Sequence, residues 1–189
     1  MTNLQENLTA LSADLATFER KIQNLAKEMT IDLSDYEIDH LALRVNSEQN
    51  AKNWLILLLK CGKILSDNIV NGRKIYLVKL AKPIKFAHQF VDVIELPFPK
   101  HKQYSIEGWE HIEIVIPFLQ NESINEWVNR INMHFLWNEL TQLNIKVSEP
   151  KVVGERLPNP SIAVSFANKA VNHTCIKVHP YSIEKIVEV

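Results

Sequence analysis

The chain has 189 residues, 46% hydrophobic and 23% charged, with 21 Lys and Arg against 22 Asp and Glu. That length can bury one sizeable core, and a formal charge of -1 with interspersed signs offers no field to phosphate backbones or anionic lipid, so no nucleic-acid or membrane partner is expected. Cys61 and Cys175 lie far apart among apolar neighbours, which excludes a disulfide framework and points to reduced thiols in the cytoplasm.

In the first segment, residues 1–31, Leu8, Leu11, Leu15, Phe18, Ile22 and Leu25 recur at steps of three and four. They form one apolar stripe of an amphipathic helix, expected to pack on the domain, with a partner or dimerisation helix as the alternative. The segment carries acids early and lacks a continuous apolar run, so no export or anchoring signal is expected.

From Glu37 the chain reads as strand, helix, then three strands. "EIDHLALRV" alternates; "SEQNAKNWLILLLKCG" opens on Ser and Glu and ends on Gly, as a helix does; "KILSDNIV" is extended. Asn71-Gly72 marks a tight hairpin, "RKIYLVKL" returns, and "FVDVIELPFP" ends at prolines that cannot continue a ladder. The second half repeats the order with "GWEHIEIVIP", a helix from about Glu122 to Leu143, "IKVSEPKVV", "SIAVSFAN" and "HTCIKVHP". The expected fold is α+β, with one βαβββ module over 37–99 and a second over 108–187, in a single domain over 32–189.

Successive strand residues face opposite sides. Strict alternation therefore puts Ile38, His40, Ala42 and Arg44 on one face and Leu41, Leu43 and Val45 on the other, which must lie under the helix. In the second half Trp109, His111, Glu113 and Val115 share the inward face. Asp39 and Glu110 then point away from the histidines they precede and are not expected to support those rings. Aligning "VIELPFP" with "KVHPYSI" sets Glu95 opposite His179 in the repeat, each followed closely by a proline.

Imidazole and carboxylate are ligands for zinc, nickel, iron(II) and manganese, so His40, Glu95, His111 and His179, two equivalent pairs, are a candidate site for one divalent transition metal. The alternative is that each histidine satisfies its hydrogen bonds in a polar core or at a strand end. Cys175 shares the inward parity but reads as a small core residue, and His88, His101, His134 and His173 have no repeat partner.

Paired βαβββ units with metal-type residues at these positions resemble the vicinal oxygen chelate superfamily of glyoxalases, extradiol dioxygenases and bleomycin-resistance proteins. The blocks "DHLALR", "NGR", "VIELPFP", "GWEHIEIV", "ERLPNPSIAV" and "KVHPYSIEKIV" are similar to those of the YecM family, over about Asp39 to Val187. The resemblance implies a glyoxalase-like curved sheet around one cavity that holds a divalent metal, with His40, Glu95, His111 and His179 in the four ligand positions. Three histidines, the last where glutamate often serves, depart from the glyoxalase pattern.

A metal-dependent isomerase, lyase or dioxygenase acting on a small oxygen-rich molecule is the activity this implies. A small-ligand sequestering protein without catalysis is the alternative, and a structural protein working through its N-terminal helix is a third class. Glu113, two residues beyond His111, is the candidate base, with an ion pair to Arg44 as its alternative. Arg44 and, in "ERLPNP", Arg156 are candidate substrate-binding residues; a plain exposed turn is the other reading of Arg156. Either a monomer or a homodimer is compatible with the sequence.

Overall fold

The computed structural model describes residues 8–101, 103–149 and 157–187. Its elements are α1 (Thr9–Glu28), β1 (Ile38–Arg44), α2 (Glu48–Cys61), β2 (Gly62–Ser66), β3 (Ile69–Val70), β4 (Arg73–Phe86) and β5 (Gln89–Pro97) in the first half. The second half has β6 (Gly108–Val115), α3 (Ile124–Phe135), β7 (Leu143–Ser148), β8 (Ser161–Phe166), β9 (Cys175–His179) and the short α4 (Ile183–Val187). Among the described residues no helix is long and apolar enough to cross a membrane.

Local chemistry accounts for most boundaries. The Ser47 hydroxyl accepts from the Asn50 N–H at the start of α2, and Ser123 and Glu126 form a capping box at the start of α3. The β3–β4 hairpin turns at Asn71 (φ 49°) and Gly72 (φ 76°), the double positive-φ turn that Asn-Gly favours. Gly62 has another reason to be glycine: a Cβ there would stand 2.2 Å from the Lys79 carbonyl oxygen where α2 hands over to β2. The helix expected from about Glu122 to Leu143 is shorter, because Leu136 turns left-handed (φ 52°). That turn lets Trp137 drop into the core, stacked on Phe135 at 4.4 Å.

The strands pair in the order β2-β4-β5-β1-β6-β9-β8-β7, with β3 beside β4. Each half runs from its first strand through a crossover helix and ends on a strand parallel to the first, β5 beside β1 and β9 beside β6. The halves meet at the antiparallel β1–β6 pair, so one curved sheet runs through both βαβββ modules. Helices cover one face over a core that includes Leu41, Leu43, Ile112, Ile114, Trp127 and Trp137. The α1 stripe buries Leu11, Phe18, Ile22 and Leu25. Indole N–H groups hold both ends of α1, Trp109 donating to the Leu11 carbonyl (2.7 Å) and Trp137 to the Met29 carbonyl (2.9 Å).

Residues 32–100 expressed alone would leave the inner edge of β1 without β6 and its core face without Trp109, Ile112 and Ile114. The fragment is expected to aggregate or remain unfolded. Dispersed amide resonances from a monomeric fragment would contradict this.

Candidate metal centre

The β1–β6 ladder is interrupted twice, once in each strand. Ile38 pairs with Ile114 and His40 with Glu113, so Asp39 is an extra residue on β1; Ala42 pairs with His111 and Leu43 with Trp109, so Glu110 is an extra residue on β6. A bulge puts two consecutive side chains on the same side of a sheet. Asp39 therefore joins His40, and Glu110 joins His111, while Ile38 and Trp109 turn to the helix-covered core. This corrects the strict alternation, which sent both acids away from the histidines and Trp109 inward.

The bulged acids carry the rings. His40 Nδ1 lies 2.8 Å from Asp39 Oδ2, and His111 Nδ1 is hydrogen-bonded to Glu110 Oε2. A carboxylate accepts, so each ring donates from Nδ1, and in its neutral form keeps its lone pair on Nε2. Asp39 also accepts from the Ile183 backbone N–H at 2.9 Å, tying α4 to the site. Burial opposes the charge of both acids, yet contacts from His179 and His40 hold Asp39 down to about 2, and His111 with Arg44 holds Glu110 to about 2.

His40 Nε2 and His111 Nε2 are buried without a hydrogen-bond partner among the described residues. They face two buried carboxylates. His40 Nε2 is 3.7 Å from Glu95 and 3.8 Å from Glu113; His111 Nε2 is 3.8 Å from Glu95 and 3.4 Å from Glu113. One donor atom from each of these four residues fits within 4.8 Å of all the others. Ligands about 2.1 Å from a zinc-sized ion stand roughly 3.0–3.4 Å apart across a polyhedron edge, so the spacing suits a divalent cation after slight contraction. Orphaned imidazole nitrogens facing carboxylates are the donor set such an ion takes, and the group could hold one.

Of the residues expected to bind metal, His40, Glu95 and His111 are brought together, joined by Glu113 rather than by His179. His179 stands on the far side of Glu113, with Nδ1 3.4 Å from Glu113 Oε2 and Nε2 3.4 Å from Asp39 Oδ2. Strand register explains the exchange. Superposing His40 on His111 makes Ala42 equivalent to Glu113; since Ala42 pairs with Glu95 and Glu113 with Lys177, the repeat counterpart of Glu95 is Lys177. The alignment of the two closing strands that set Glu95 opposite His179 is offset by two residues. Lys177 Nζ lies 2.9 Å from Glu113 Oε1, and against the cost of burial its charge holds the Glu113 carboxyl well below its ordinary range.

Arg44 does not reach this group and does not pair with Glu113. Its Nη2 is 2.5 Å from Glu110 Oε1 and its guanidinium lies 3.8 Å over the Tyr104 ring, so it braces the His111 support instead of lining the cavity. Arg156, expected at the cavity mouth, lies outside the described residues. Burial pushes the Cys175 thiol up to about 12, in keeping with a core role. Sequence reading missed Asp39 and Glu110 as supports and Lys177 as the partner of Glu113; the acid-histidine pair at the head of both strands was the available signal.

Above the group is a cavity of about 320 Å³, walled by both modules, with Glu95, Glu113, Lys177 and His179 among its lining. The modules thus enclose one shared space, as the duplicated pattern led one to expect.

The sequence profile described as "YecM protein" matches residues 7–189. An uncharacterised protein of Haemophilus influenzae is 84% identical over 185 residues, covering 98% of this chain and 96% of its own length. Protein YecM of Escherichia coli K12 is 38% identical over 192 residues, 99% of this chain and 97% of that protein. The solved structure of Protein EC4020, a structural-genomics target, superposes with a TM-score of 0.83 at 36% identity, covering 100% of this chain and 96% of that one.

Proposed function

The chain belongs to the YecM family, and from that premise we propose that it is a divalent-metal protein of the vicinal oxygen chelate superfamily, with an ion held by His40, Glu95, His111 and Glu113. On this reading it is a metal-dependent enzyme of isomerase, lyase or dioxygenase type acting on a small oxygen-rich molecule. The observation that carries it is the pair of buried, unpartnered Nε2 atoms facing two buried carboxylates at the cavity. A bound divalent ion would supply Lewis-acid polarisation of ligand oxygens.

The protein's own residues supply the rest. Asp39 and Glu110 fix the two rings with Nε2 toward the cavity, and Lys177 offsets the charge of Glu113. His179 lines the cavity with both ring nitrogens free of hydrogen bonds, Nδ1 beside Glu113 and Nε2 beside Asp39. It is the group placed to hold or move a proton at a bound molecule, the role first expected of Glu113.

Elemental analysis of protein purified without chelator tests the assignment. About one divalent ion per chain is expected, lost in Glu113→Ala and in a His40→Ala, His111→Ala double variant but kept in His179→Gln. Metal retained in Glu113→Ala but lost in His179→Gln would return the ligand set to the one read from the repeat, and metal retained in the His40→Ala, His111→Ala variant would remove both sets.

The carboxylate supports give a second expectation. Asp39→Asn and Glu110→Gln should each weaken divalent-ion binding by about 10–100-fold, the usual effect of removing a carboxylate behind a ligating histidine. Competition against a chromophoric chelator reads this directly, and unchanged affinity in both would show that the bulged acids serve packing alone.

A further inference from the structure

The cavity wall is unevenly charged. On β4, Arg73, Ile75 and Leu77 alternate into it, and Leu77 pairs with Glu95. On the other side, Glu113 pairs with Lys177, Lys177 with Ala163 and Ala163 with Lys146, a row that carries a second cation to the outer strand. Arg73 is half-buried and Lys146 exposed; both line the cavity, and neither has an acidic partner among the described residues. Neighbouring lysines are matched: Lys74 with Asp67, Lys79 with Asp92 and Glu184, Lys177 with Glu113.

Two further groups lack a partner on the same wall. The Ser161 hydroxyl and the Asn159 side-chain oxygen are buried without a hydrogen-bond partner among the described residues, and Ser161 is only 7% exposed. Unmatched polar groups buried in a cavity wall are costly unless something enters to satisfy them. Among the described residues the lining acids are Glu95 and Glu113, both drawn to the ligand group; a divalent ion there leaves Arg73, Lys146 and Lys177 as surplus positive charge.

We propose that the cavity binds a small molecule with two anionic ends, a metal-chelating head such as a 2-oxo or 2-hydroxy acid and a distal carboxylate or phosphate held by Arg73 and Lys146, with Ser161 donating to it. The head position rests on the metal reading above; the distal site does not. Arg73 stands four residue steps from Leu77, about 14 Å along the β4 backbone, so its side chain must reach back toward the donor group to meet the far end of a short ligand. The volume of about 320 Å³ is at the small end of ligand sites, roughly 300–1,000 Å³, and suits a short metabolite.

Calorimetry on metal-loaded full-length protein tests this with 2-oxoglutarate, 3-phosphoglycerate and 2-oxohexanoate, which share an oxygen-chelating head and differ in the distal group. At least one of the first two should bind about tenfold or more tightly than 2-oxohexanoate, and which one does so separates carboxylate from phosphate. The Arg73→Met, Lys146→Met double variant should erase the preference while keeping its metal content. Equal affinity for all three probes, absence of binding by all, or a preference surviving the double variant would overturn the distal site. A preference that depends on Arg73 and Lys146 but persists without metal would keep the distal site and remove the metal-bound head. Equal binding of all three probes that requires the metal would do the reverse.

Discussion

Metal-free protein is expected to be most stable between about pH 4.5 and 6.5, and a divalent ion added at pH 8 is expected to raise its Tm on the order of 10 °C. Burial alone would lower the His40 pKa, but the Glu113 charge and contacts from Asp39 and Glu95 raise it from 6.5 to about 10. A proton held more tightly in the folded than in the unfolded chain stabilises fully below the unfolded value, and this contribution is lost as pH rises from 6.5 through 10. Asp39 and Glu110 have the opposite sign. Their folded values near 2 lie below ordinary values of 3.8 and 4.5, so their contribution is present above about 4.5 and lost as pH falls toward 2.

A metal ion would displace the His40 proton and restore what the alkaline limb has lost. At a thousandfold excess over Kd the added stability is about 4 kcal/mol, and each kcal/mol moves Tm by about 2–4 °C in a chain of this size. Thermal melts at pH 5, 6.5 and 8, with and without zinc or manganese, read both effects. A Tm unmoved by any divalent ion at pH 8 would contradict the four-residue site.

Trp137→Ala is expected to cost about 3–5 kcal/mol, the usual range for emptying a large aromatic site in a core. Trp137 is fully buried, stacks on Phe135 and donates to the Met29 carbonyl at the end of α1, so its loss opens a cavity and frees one end of that helix. Met133, 77% exposed on α3, provides the control, and Met133→Ala should stay within about 0.5 kcal/mol. Urea unfolding at pH 6 separates them; a loss under about 1 kcal/mol at Trp137 would show that α1 is held from its other contacts.

The two βαβββ modules, the hairpin at Asn71-Gly72 and the candidate standing of His40, Glu95 and His111, three residues of the buried His–Glu group, were legible along the chain, because these rest on local signals. Period-3.6 and period-2 patterns, caps, turn residues and an internal repeat are written within short stretches of chain. The left-handed turn at Leu136 was not legible, since its reason is the core space that Trp137 fills.

The rest was decided by how β1 meets β6, two strands from different modules. Side-chain parity holds only while a ladder is unbroken, and a bulge that resets it exists only in the pairing of two strands. The bulges at Asp39 and Glu110 brought those acids beside His40 and His111, left Arg44 to Glu110 and sent Trp109 to the core. Register likewise chose between His179 and Glu113. The prolines after Glu95 and His179 look equivalent along the chain, but β9 lies against β6 with Lys177 at the counterpart of Glu95, which leaves Glu113 facing the two free imidazole nitrogens. No one-dimensional alignment fixes that choice, because a slip of two residues preserves every inward and outward assignment and changes only which residues stand side by side.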